Sequence, residues 1–69
     1  MKILQISLAA ARVNAEMTQE DVAKELHVGK QTVVNWEKGA TEPKISQMRQ
    51  LSVLYKIPVE NIFLPTKSN

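Results

Sequence analysis

Residues 27 to 36, HVGKQTVVNW, gather the chain's only Trp, its only His and one of its two Gly. Four hydrogen-bonding side chains, Lys30, Gln31, Thr32 and Asn35, interleave there with Val33, Val34 and Trp36. An apolar core accounts for the Trp. It does not account for ammonium, amide and hydroxyl groups at the intervening positions, which must meet some other surface. The chemistry open to them is hydrogen bonding and attraction of an anion. Catalysis is not expected: with one His, no Cys and no phosphate-cradling Gly-rich loop, neither a nucleophile–base pair nor a zinc cluster can be assembled. No enzyme, metal or cofactor is expected.

Net charge is only +2, but it is unevenly spread: residues 1–28 hold three basic against four acidic groups, and residues 29–56 hold five against two. Clustered charge matters more than the total for steering and phosphate contact. The excess in and after the quoted stretch fits a polyanion partner as readily as ordinary solvated lysines. The lack of Cys agrees with a reducing compartment, and a cytoplasmic protein is expected. In MKILQISLAAARVNAE, Arg12, Asn14 and Glu16 interrupt the apolar run before a signal peptide or spanning helix could be completed, so a soluble protein without a membrane partner is expected.

At 69 residues the chain is expected to be one domain with one small core. An arm over residues 1–6, MKILQI, is apolar enough to pack in extended form against the tail segment IFLP, although periodicity does not decide this. LAAARVNA favours a first helix behind Ser7 as N-cap. In TQEDVAKEL, Thr18 caps a second helix from about Gln19, and Asp21 three residues on completes a short capping box. Val28 and Gly29 break that helix near His27, and Gly29 caps a third, KQTVVNWEK, which Gly39 ends. Ile45, Met48, Leu51 and Leu54, with Val53 and Tyr55 on the flanks, give a fourth of about three turns. Pro58 opens a short fifth, VENIF, and residues 65–69 are expected to be a flexible tail. The expected fold is all-α, five helices over residues 7–64, with no confident strand.

Two short helices joined by about three residues, the second polar on one face, make a helix-turn-helix over about residues 19–38. Their close crossing requires a small residue, and Ala23 is small. Counting from Gln19, the core positions four, eight, ten, fifteen and eighteen are Val22, Leu26, Val28, Val33 and Trp36, all apolar.

TQEDVAKELHVGKQTVVNWEKG is similar to the Cro and lambda-repressor-like (XRE-type) helix-turn-helix family, and the flanking segments extend the resemblance over roughly residues 8–64. The resemblance implies that the third helix is a recognition helix lying in the DNA major groove. Lys30, Gln31 and Asn35 match base-reading positions. Lys can donate to guanine O6 and N7, whereas Gln and Asn can pair bidentately with adenine. Val34 departs from the family's small polar residue and is expected either to touch a thymine methyl or to lie incidentally exposed. Gln19 and Thr32 match phosphate-contacting positions, Lys38 and Lys44 flank the next loop with added charge, and Arg12 and Glu37 match an ion pair that would hold Arg12 near the DNA backbone. Trp36 is expected to be a core anchor. His27 and Lys56 stand where a left-handed backbone is expected.

The resemblance implies a sequence-specific DNA-binding transcriptional regulator, a repressor occupying a double-stranded operator as a homodimer on an inverted repeat. At this length no separate dimerisation or ligand-sensing domain is expected. Dimer contacts are therefore expected from Ile57, Val59, Ile62, Phe63 and Leu64 or from the N-terminal arm. The alternative is a protein-interaction module on the same fold, binding a partner protein as antirepressor or antitoxin-like regulators do. Non-specific DNA packaging ranks last, since it requires more net charge.

Overall fold

The structure is a computed structural model and describes residues 5–65. Its elements run β1 (Ile6–Ser7), α1 (Leu8–Asn14), α2 (Gln19–Leu26), α3 (Lys30–Lys38), α4 (Ile45–Tyr55), a single 3-10 turn (Val59–Asn61) and β2 (Ile62–Phe63). The chain is mostly helical, with two departures from the five-helix expectation. The fifth helix is one 3-10 turn leading into a strand. That strand lies parallel to β1, with Ile6 opposite Ile62 and Ser7 opposite Phe63. A five-residue helix gains too few backbone bonds to offset nucleation; the same residues gain more by pairing with the segment before α1. Of the arm expected over residues 1–6 only Gln5 and Ile6 are described, and Ile6 is the residue that pairs with the tail segment, opposite Ile62; residues 1–4 and 66–69 lie outside the described residues.

Local signals set the helix ends. Ala10 N–H donates to Ser7 Oγ at 3.1 Å. Thr18 and Asp21 exchange bonds, Asp21 N–H to Thr18 Oγ1 at 3.0 Å and Thr18 N–H to Asp21 Oδ2 at 2.9 Å. Gly29 caps α3 in extended conformation and Gly39 ends it at φ 82°. A Cβ at Gly39 would meet Pro65 at 3.0 Å, so that glycine serves both its own turn and the passage of the C-terminal segment. His27 and Lys56 are left-handed as expected (φ 57° and 58°), and Glu16, which carried no such expectation, joins them at φ 58°.

Thr18→Ala is expected to lose about 0.5–2 kcal/mol of stability in urea unfolding. The Thr18 N–H and hydroxyl hold the Asp21 carboxyl below its ordinary pKa. That contribution is therefore present above the unfolded carboxylate pKa and is lost as pH falls through the lowered one. An unchanged unfolding midpoint in Thr18→Ala at neutral pH would remove the box from the account.

One core joins all four helices: Leu8 and Ala11 of α1, Val22, Ala23 and Leu26 of α2, Val33 and Trp36 of α3, Met48, Leu51 and Tyr55 of α4, and Ile62 of β2. The apolar stripe expected along α4 is only partly buried, since Ile45 is 74% and Val53 79% exposed. A helix turns about 100° per residue, so Ile45 and Leu54, nine residues apart, lie on opposite sides. Met48, Leu51 and Tyr55 form the true inward face.

Candidate nucleic-acid interface

Helix α3 has two faces by construction. Val33 and Trp36, three apart, turn into the core at 1% and 3% exposure, and α2 packs behind them. The opposite side carries Lys30, Gln31 and Lys38, all exposed, with Val34 half-buried among them and Thr32 and Asn35 half-buried at its margin. Helical spacing sets Val34 among Lys30, Gln31 and Lys38, so the expected base-reading residues share one surface. Gln31 Nε2 donates to Asn35 Oδ1 at 3.1 Å, linking two of them one turn apart.

The far end of α3 is tied to two other elements through Glu37. Arg12 of α1 donates from Nε to Glu37 Oε2 at 2.7 Å and from Nη2 to Oε1 at 3.3 Å, while its Nη1 donates to the Met17 carbonyl at 3.1 Å. Gln19, first residue of α2, donates from Nε2 to the same Glu37 Oε1 at 2.9 Å. The ion pair is half-sequestered, its side chains 17% and 9% exposed. The bond to Glu37 raises the guanidinium pKa of Arg12 despite the opposing effect of burial. Tyr55 packs nearby from α4, and burial, helped by the Glu37 carboxylate, pushes its phenol up to about 12.

This geometry alters several expectations. Arg12 and Gln19, expected at phosphates, each donate to Glu37, and Arg12 donates to the Met17 carbonyl as well. Lys38 and Lys44 are exposed on either side of the loop after α3. Lys44 starts α4, its N–H donating to Gln47 Oε1 at 2.7 Å. Of the expected dimer contacts, Phe63 is 50% and Val59 39% exposed; Ile57 and Leu64 are half-buried against the core. Ile62, at 7%, drops out of that set because the monomer's own core occupies its side chain. Sequence reasoning did not find the Gln19 bond to Glu37 or the burial of Tyr55 beside it. No local spacing signals a contact between residues 18 positions apart.

Residues 8–62 match the profile of the family described as Helix-turn-helix. The chain is 33% identical over 58 residues to the cryptic phage CTXphi transcriptional repressor RstR of Vibrio cholerae, covering 84% of this chain and 52% of that protein. It is 35% identical over 48 residues to an uncharacterised HTH-type transcriptional regulator of Methanocaldococcus jannaschii, covering 70% of this chain and 73% of that one. A similar regulator of Archaeoglobus fulgidus is 32% identical over 53 residues, 77% of this chain and 75% of its own. The chain spans about half the length of the Vibrio protein. No solved structure matches it.

Proposed function

The chain belongs to the helix-turn-helix family, XRE type, and from that premise we propose that it is a sequence-specific DNA-binding transcriptional regulator that represses by occupying an operator. The observation that carries this is the division of α3: Val33 and Trp36 sunk in the core, and Lys30, Gln31 and Asn35 together on the outer side. Such a helix fits the major groove, where base edges offer the acceptors and donors those side chains pair with. Thr32, Lys38 and Lys44 contact phosphates, and the Arg12–Glu37–Gln19 cluster holds α3 at its angle. Val34 meets the groove as an apolar group suited to a thymine methyl. Among the described residues no helix is long and apolar enough to cross a membrane.

One recognition helix reads only a few base pairs, so two copies on an inverted repeat multiply discrimination. In this reading Val59 and Phe63, with the flanks of Ile57 and Leu64, supply the apolar contact between copies. The deciding experiment is selection of bound duplexes from a random DNA library by the purified protein at near-physiological salt. Enrichment of an inverted repeat, half-sites about one helical turn apart, supports the dimeric operator reading. Enrichment of nothing sinks it and favours a protein-interaction module.

Lys38→Ala should weaken binding to every duplex alike and make the salt dependence shallower by about one unit of slope, the loss of one phosphate contact. A slope identical to the unmodified protein's would take Lys38 out of the interface.

A further inference from the structure

We propose that Gln31 and Asn35 read DNA as one hydrogen-bonded unit, whose polarity assigns adenine to Gln31 and a neighbouring acceptor-bearing base, guanine or thymine, to Asn35. This deepens the operator-binding function proposed above and rests on it. The bond from Gln31 Nε2 to Asn35 Oδ1, 3.1 Å long, spans one turn of α3 on exposed surface. Residues four apart on a helix are neighbours, so the unit forms within one rigid element before DNA arrives. Ala40 N–H donates to the Asn35 carbonyl at 2.9 Å, anchoring the backbone beneath it to the Gly39 turn. Side chains ordered in advance lose less freedom on binding.

The direction of the bond decides what each amide has left. A carboxamide offers two donor hydrogens and an acceptor oxygen. Gln31 uses one hydrogen on Asn35 and keeps Oε1 and one N–H, the pair that a bidentate contact with adenine N6 and N7 requires. Asn35 has one lone pair of its oxygen engaged and both Nδ2 hydrogens free, so it faces the groove chiefly as a donor. The acceptors it meets there are guanine O6 and N7 or thymine O4. An unrestrained Gln could turn its amide over and present its NH2 to guanine. Turning this one alone breaks the bond and sets Oε1 against Oδ1, two acceptors face to face, so the two amides can turn only together. Asn35 is thus both a reader and the positioning residue for Gln31.

The test compares wild-type protein, Gln31→Ala, Asn35→Ala, the double variant and Asn35→Asp on the selected operator and its single-base variants. Wild type should prefer adenine at one half-site position by about 5- to 150-fold. Gln31→Ala and Asn35→Ala should each lose that preference, and the loss of operator affinity in the double variant should be smaller than the product of the single losses. Asn35→Asp keeps an acceptor for Gln31 but has no donor; it should retain the adenine preference and lose the guanine or thymine preference beside it. Circular dichroism melts check that each variant is folded. Retained adenine preference in Asn35→Ala, its loss in Asn35→Asp, or independent single losses overturn the coupled unit while leaving operator binding standing. A wild-type protein that enriches no sequence overturns both.

Discussion

Trp36→Ala removes about 3–5 kcal/mol of folding stability, the range for truncating a large buried aromatic, and leaves much of the protein unfolded at room temperature. The side chain is 3% exposed in the cluster that joins all four helices. A 69-residue chain buries only roughly 60% of the surface its unfolded form exposes and stands near the low end of the usual range, about 5 kcal/mol. Helix α3 is especially dependent on it, because its outer face is polar and only Val33 shares the inward one. The outer face of α3 therefore disappears with the core, and DNA binding is expected to fail through folding, not through a lost contact. Far-UV circular dichroism in urea tests this, with Trp36→Phe as a variant that retains most of the ring and should retain the cooperative transition. A Trp36→Ala protein within about 1 kcal/mol of wild type would be incompatible with the anchor role.

Glu37→Ala has the second largest effect. It strands the Arg12 guanidinium with only the Met17 carbonyl and frees Gln19. Breaking a fully buried ion pair costs about 3–5 kcal/mol; water reaches part of this one, so the expected cost is about 2–3 kcal/mol. Arg12→Ala should cost a comparable amount, and the double variant less than the two together, since each single change leaves a partner unsatisfied. Arg12→Lys keeps the charge but not the two-pronged bond and should recover only part of the loss. DNA affinity should fall on all duplexes with base preferences intact, because the cluster aims α3 and does not read bases. Additive single losses in urea unfolding, or a change of preferred operator, would contradict that division of labour.

Most of α3 was legible in the sequence, because its signals are local. Ser7, Thr18 with Asp21, Gly29 and Gly39 each act within a few residues, so the start and end of α3 followed from composition at single positions. The alternation of Lys30, Gln31 and Asn35 with Val33 and Trp36 likewise follows from the helical repeat. The Arg12–Glu37 pair came from resemblance to a family, since its partners are 25 residues apart and no spacing joins them.

By itself, then, the sequence determined the helix-turn-helix: where its helices begin and stop, which side of α3 is apolar, and where positive charge gathers. Only the tertiary structure decided what the ends of the described chain do. Residues 59–63 become a turn and a strand because Ile6 and Ser7 offer backbone partners to Ile62 and Phe63, and Ile62 then belongs to the core and not to a dimer surface. It likewise chose Met48, Leu51 and Tyr55 over Ile45 and Val53 as the inward face of α4, and it turned Gln19 toward Glu37. The physical reason is common to all of these. Propensity, capping and periodicity act over a few residues along the chain, whereas strand pairing and burial depend on what the fold brings alongside from far away.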